Sequence, residues 1–288
     1  MVTVLDCKKF GTHSILDFDN RISLRFLIPC STYYGKNVGI GMLTSLRRLL
    51  FPVHSYKLSE LKDLIELCEL KIDGLENHKH REEVNMVQLH SKKNLSRFEL
   101  VWSDEIDVAE EYELVLDCLK PPDSLKELTI ERYHGARSPS WMEPEELKNL
   151  EYMSTKECLA WKNLPSLEKL PYLKKLILTR MRELEQIDFE GGFPHLKLLS
   201  FSDCEQWKDW SGLKAEMVPW CPLLQKLIIK DCPKLNALPP LPLSVSKNWS
   251  CLMWDWSILQ HFGWVTTAVI AFHRHPVSDI WKLKDVKS

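Results

Sequence analysis

A six-residue phrase, L-x-x-L-x-L in its full form, returns eight times along this chain and restricts the fold more than any other feature. It reads LRRLLF at 46–51, LCELKI at 67–72, LSRFEL at 95–100 and LKELTI at 125–130. It continues as LEYMST at 150–155, LKKLIL at 173–178, LKLLSF at 196–201 and LQKLII at 224–229. Successive starts lie 21, 28, 30, 25, 23, 23 and 28 residues apart, the spacing of a structural repeat. Positions four and six of each phrase share one face of a strand, because side chains alternate with period two. The first leucine packs beneath the turn that leads into the strand. One unit cannot bury its own apolar face, so neighbours must stack into a continuous core. Stacking sets successive strands side by side as a parallel sheet, with connecting segments crossing behind.

This predicts an α/β leucine-rich-repeat solenoid, a curved horseshoe with the parallel sheet on its concave face and irregular or helical convex segments. Ala109 to Leu119 has helical spacing through Tyr112, Val115, Leu116 and Leu119 and is stopped by Pro121-Pro122, so it reads as a convex helix. Pro171, Pro194 and Pro222 each stand two residues before the first leucine of a unit, where a fixed extended approach suits the turn. Cys158, Cys204 and Cys232 fall three residues after position six, and Met181 takes that place in the remaining late unit. Repeats of this kind put asparagine or cysteine there to tie the turn, so these thiols read as buried and structural.

The array is expected over 41–242. Residues 1–40 carry the phrase weakly, as in Ile22 to Leu27, and read as a degenerate repeat or the cut edge of a longer array. After Leu238 to Leu243 the rhythm stops, and 243–288 forms a non-repeat tail or cap with Trp249, Trp254, Trp256, Trp264 and Trp281.

Composition narrows the function. With 38 basic and 40 acidic side chains the net charge is -2, which gives no general attraction to nucleic acid or anionic membrane. The first twenty residues lack a secretory apolar core, and Trp264 to Phe272 is too short to span a bilayer. A cytoplasmic chain is expected, its nine cysteines reduced and without any CxxC pair. The sequons at Asn94 and Asn248 are read as chance, the first inside a predicted strand. HExxH, GxSxG and the GxxxxGK[ST] phosphate loop are all absent; Gly35-Lys36 has neither the upstream glycine nor the following Ser/Thr. The histidine pairs His78/His80 and His273/His275 have no cysteine pair beside them, and the acidic run Asp104 to Glu113 reads as a solvated loop and helix face. The expectation is no enzyme, no catalytic residue, no metal and no cofactor.

Longer stretches add a resemblance. LTSLRRL at 43–49, LSELKDLIELCELKIDGLEN at 58–77 and KKNLSRFELVWSDE at 92–105 resemble the repeat region of plant intracellular disease-resistance proteins of the coiled-coil, nucleotide-binding, leucine-rich-repeat class. PPDSLKELTIERYHGARSPSWM at 121–142 is the most specific segment, with Gly135, Pro139, Ser140, Trp141 and Met142 in place. WKDWSG at 207–212 and CPLLQKLIIKDCPKLNALP at 221–239 resemble the closing units. Ser138 departs from the pattern, standing where that class has a bulky apolar residue, and is expected to loosen packing around Trp141. The class's nucleotide switch has no counterpart here, so nucleotide binding is not carried over.

Residues between and just after the inward positions project from the concave face. The frame nominates Arg97, Glu99, Trp102, Glu127, Thr129, Glu131, Arg132, Tyr152, Lys156, Lys175, Arg180, Lys226 and Lys230 as partner-binding residues. Trp102, Tyr152 and the arginines are the natural anchors, since interfaces concentrate energy in Trp, Tyr and Arg. A surface of roughly 800 Å² per partner fits such a face. The resemblance implies a protein-recognition module in plant innate immunity. It would sense a pathogen effector or a modified host protein, or hold a nucleotide-binding module of the same receptor. The other reading is a stand-alone adaptor or decoy scaffold.

Overall fold

The computed structural model describes residues 4–6, 23–28, 39–50, 57–78, 80–104, 109–188, 192–211, 221–236 and 250–253. The tail tryptophans, Asn248 of the second sequon, Gly35-Lys36 and the His273/His275 pair lie outside them.

Eleven strands form one parallel sheet in chain order. They are β1 (Val4–Asp6), β2 (Phe26–Ile28), β3 (Arg48–Leu49), β4 (Glu69–Asp73), β5 (Arg97–Val101), β6 (Glu127–Glu131), β7 (Tyr152–Lys156), β8 (Lys175–Thr179), β10 (Leu198–Ser202), β12 (Lys226–Lys230) and β13 (Ser250–Met253). A small parallel pair, β9 (Gln186–Asp188) with β11 (Asp209–Ser211), runs behind it. Two α-helices occupy the longer crossovers: α1 (Arg81–Asn85) and α2 (Ala109–Cys118). The sheet is open, and the fold is the leucine-rich-repeat solenoid that the phrase requires.

Among the described residues the inward positions are filled as expected. The first leucines, Leu46, Leu67, Leu95, Leu125, Leu150, Leu173, Leu196 and Leu224, are all buried. So are the fourth and sixth positions from Leu70/Ile72 through Leu227/Ile229. Register pairs like with like: Leu70 opposite Phe98, Phe98 opposite Leu128, Leu128 opposite Met153. A polar residue breaks the inner column once, at Thr155, and its Oγ1 sits 3.3 Å from the Met181 sulfur. The Cys158, Cys204 and Cys232 thiols are buried and point at carbonyl oxygens of their own strands at 3.3–3.6 Å. Burial pushes the Cys158 thiol up to about 12, which keeps it protonated and unreactive.

The sheet reaches beyond the expected array at both ends. In β2, Phe26 pairs with Arg48, which puts Leu24 level with Leu46; β1 repeats the same register against β2. Residues 1–40 thus contribute two strands to the sheet. At the far end, β13 pairs with β12 inside the segment expected to be non-repeat, because strand pairing needs backbone and not leucines. Asn94 lies in the turn before β5 and not within the strand.

A second regularity follows every strand of the main sheet from β4 to β12 except β5. Gly74, Arg132, Glu157, Arg180, Asp203 and Asp231 sit two residues after position six, all with φ between 51° and 73°. In this left-handed conformation the amides of Arg132, Glu157, Arg180 and Asp203 reach the next strand's last carbonyl at 2.8–2.9 Å. The hydrogen bond offsets a backbone cost of roughly 1–2 kcal/mol at a non-glycine position.

Lys92 is the unexpected core residue. It is fully buried, and its Nζ donates to Leu61 O (2.5 Å) and Leu64 O (3.3 Å), tying the carbonyl end of the 3₁₀ helix Leu58–Asp63. Burial pulls its pKa down to about 8, with nearby Asp63 opposing the drop. Above that pH the folded chain has released a proton that the unfolded chain still holds until its ordinary value of 10.5. Stability therefore gains a rising contribution between those values, since it increases with pH wherever the unfolded state binds more protons. Urea unfolding from about pH 7.5 to about 10.5 should show this rise in the native chain and its loss in Lys92→Met. Equal pH slopes in the two proteins would exclude Lys92 as its source.

Candidate binding face

Outward side chains of the strands form three columns in register. The first runs Arg48, Glu69, Arg97, Glu127, Tyr152, Lys175, Leu198, Lys226. The second runs Lys71, Glu99, Thr129, Ser154, Ile177, Ser200, Ile228, and the third Asp73, Val101, Glu131, Lys156, Thr179, Ser202, Lys230. Neighbours in a column stand about 4.8 Å apart, so adjacent charges interact.

From β3 to β6 those charges are matched across strands. Glu69 takes Arg48 at 3.0 Å and Arg97 at 3.5 Å, and Arg97 donates to Glu127 at 2.6 Å. Lys71 meets Glu99 at 2.9 Å. The hydrogen bond to Glu127 raises the Arg97 pKa above its already high ordinary value. One network crosses into β7: Glu131 holds Lys156 at 2.8 Å and Arg132 at 3.5 Å, and Glu157 pairs with Arg132 and Arg180. The Glu131 hydrogen bond likewise raises the Lys156 pKa. Exposed pairs like these stabilise by roughly 0.2–1 kcal/mol each, but they fix side-chain positions.

From β7 to β12 the face changes. Its outward positions hold no carboxylate, and Ile177, Leu198 and Ile228 present half-buried apolar side chains among Tyr152, Lys175 and Lys226. Ser200 is sunk among its neighbours at 6% exposure.

All but one of the nominated partner-binding residues reach solvent on this face or its edge. Trp102 does not. It is 1% exposed and packs edge-on against Tyr133 (centroids 5.2 Å) and Tyr112 (6.5 Å). The physical reason is local. After β5 the chain omits the left-handed residue found at the same step elsewhere, and the crossover helix α2 with the 132–142 loop closes over the indole. Trp102 is an interior residue, and the anchor role assigned from the repeat frame falls.

The acidic helix face also has a definite task. Glu113 Oε1 accepts from Ala136 N (3.0 Å) and Arg137 N (3.2 Å), and Asp117 Oδ1 accepts from Ser140 N (2.7 Å). Trp141 Nε1 donates to Leu116 O at 2.8 Å. Helix α2 thus clamps the 132–142 loop at four points. Ser138 loosens nothing around Trp141, which is 2% exposed; its hydroxyl accepts from Trp161 Nε1 at 3.2 Å instead. His78, of the first histidine pair, lies 3.2 Å from Glu83, and among the described residues no cluster of three or more metal-ligating side chains forms. No described helix is long and apolar enough to cross a membrane.

An open parallel sheet whose outer face is a register-locked grid of charges and aliphatics is the architecture of a leucine-rich-repeat scaffold. Residues 58–181 match the family described as R13L1/DRL21 leucine-rich repeats, and the chain is similar to plant disease-resistance proteins. It is 32% identical over 248 residues to disease resistance RPP13-like protein 4 of Arabidopsis thaliana, covering 75% of this chain and 26% of that one. It is 31% identical over 214 residues to disease resistance protein RGA2 of Solanum bulbocastanum, covering 68% of this chain and 22% of that one. The chain thus spans about a quarter of the length of these curated relatives. Among solved structures, the TLR13–ssRNA13 complex matches with a TM-score of 0.44 and 19% identity over 81% of this chain and 39% of that one, a likeness too loose to carry an argument.

Proposed function

We propose that this chain is the recognition module of a cytoplasmic plant immune receptor, reading a pathogen effector or a pathogen-modified host protein with its concave face. It performs no catalysis and takes no cofactor. The supporting observation is the register-locked outer grid of β4 to β12, built on repeats shared with plant disease-resistance proteins. Such a grid is set before binding, so little ordering entropy opposes association. In a longer receptor the same face would also serve to hold a nucleotide-binding module in its inactive arrangement.

The test compares two triple variants in capture from pathogen-challenged leaf extract, with the bound proteins identified by mass spectrometry. One carries Glu127→Arg, Tyr152→Ala and Lys226→Glu on the concave face; the other carries Lys148→Glu, Arg182→Glu and Glu205→Lys away from it. The first should lose a partner that the native chain and the second variant both retain. Equal capture by all three proteins would overturn the concave-face reading.

A further inference from the structure

We infer that the C-terminal half of the concave face, β7 to β12, is the docking subsite, and that it takes an acidic protein segment carrying aliphatic side chains. This rests on the concave-face reading above and specifies the partner's chemistry.

The inference comes from the contrast between the two halves. In β3 to β6 the outward arginines and lysines are neutralised by Glu69, Glu99 and Glu127 at 2.6–3.5 Å, so a charged partner gains little there without first breaking a pair. In β7 to β12 no outward position is acidic. Lys175 and Lys226 flank Leu198 in the first column, and among the described residues neither ammonium makes an ion pair. Between them the second column exposes parts of Ile177 and Ile228. Unpaired ammonium groups set among aliphatics attract carboxylates and apolar contacts together, while like-charged partners are repelled.

The patch continues over the rim where the strands begin. Tyr172, His195 and Leu223 each stand three residues before Lys175, Leu198 and Lys226, so they follow the same register. Tyr172 is 52% exposed and stacks on His195 (centroids 6.3 Å, planes 22° apart), and Leu223 is 47% exposed. Two of the six large apolar side chains most open to solvent among the described residues therefore border the unpaired lysines. A clustered apolar surface rimmed by polar and charged side chains is the signature of an interaction site. The carboxylates at its edges, Glu151 and Asp231, are taken up by Lys174 and Lys230, which leaves Lys175 and Lys226 to a partner.

The experiment is a fluorescence-polarisation titration of the full chain with a short fluorescein-labelled peptide alternating Glu-Asp pairs with leucines. Comparison probes are the same peptide with lysine in place of every acid, a single-stranded oligonucleotide of equal negative charge, and phosphatidylserine vesicles. The acidic peptide should bind best and weaken as salt rises. Lys175→Glu with Lys226→Glu should weaken it by about tenfold or more, and Ile177→Ala with Ile228→Ala should weaken it as well. Arg97→Glu, in the self-neutralised half, should change it less than about twofold. No binding of the acidic peptide, stronger binding of the oligonucleotide or vesicles, or an equal loss in Arg97→Glu would each overturn the inference. Such a result, alongside a leaf partner still lost in the concave triple variant, would leave the recognition function standing and remove only this assignment of its subsite.

Discussion

Trp102→Ala should unfold this protein more readily by about 3–5 kcal/mol, the usual cost of emptying a large aromatic site in a core. The indole is 1% exposed, and its removal strips an edge-on partner from both Tyr133 and Tyr112. Those pairs join the β5 repeat, helix α2 and the 132–142 loop, so the cavity opens where three elements meet. For a chain of this size the midpoint of thermal unfolding should fall by on the order of 10 °C. Trp102→Phe should cost far less. Phenylalanine keeps most of the ring packing and discards the indole Nε1–H, which is buried without a hydrogen-bond partner in the described structure. Calorimetry on the three proteins separates this from a surface role. An unchanged midpoint in Trp102→Ala, accompanied by loss of partner binding, would return the residue to the interface.

The contrast shows what a repeat frame can deliver and where it stops. Positions one, four and six are legible because the same burial demand recurs eight times, and chance apolar residues elsewhere do not keep that register. The outward residues are legible for the same reason: alternation places Arg97, Glu127, Tyr152, Lys175 and Lys226 opposite the core wherever a strand is regular. Trp102 lies one step past the strand, where alternation no longer applies and the following insertion decides. A signal was present, since every other unit from β4 to β12 has glycine or a polar residue at that step. An indole there implies a cover, and the long helical crossover of that unit supplies it. Cross-strand neighbours follow from the same frame, since Arg97 and Glu127 both hold position three of their phrases. What the frame does not show is which neighbours close into ion pairs, because long side chains choose among several rotamers. Lys92 was hidden for a related reason, because its partners are backbone carbonyls 28 and 31 residues away, which no side-chain pattern announces.

Gly135→Ala should be nearly as damaging as the tryptophan truncation, although it adds only one carbon. That carbon would lie 2.2 Å from Tyr133 Oη, 2.4 Å from its Cζ and 2.9 Å from Glu113 Cγ, all well inside van der Waals contact. Tyr133 cannot yield. It is 1% exposed, wedged edge-on between Trp102 (5.2 Å) and Trp161 (5.5 Å), and its hydroxyl donates to Arg137 O at 2.8 Å. The loop cannot lift without releasing Ala136 N and Arg137 N from Glu113 and Ser140 N from Asp117. Overpacking of this kind costs typically 1–3 kcal/mol, and the loss of loop hydrogen bonds should put this case at about 3 kcal/mol. A double-mutant cycle with Tyr133→Leu isolates the cause. Leucine is shorter and leaves room for the new methyl group, so Gly135→Ala should cost less than about 1 kcal/mol in that background. The two changes must then be strongly non-additive in urea unfolding. If Gly135→Ala costs the same with and without the tyrosine ring, the obstacle is Glu113, whose Cγ would lie 2.9 Å from the new carbon, and not the close approach of Tyr133. The 132–142 loop would then be held by its clamp to α2 alone, with the aromatic stack as a passive neighbour.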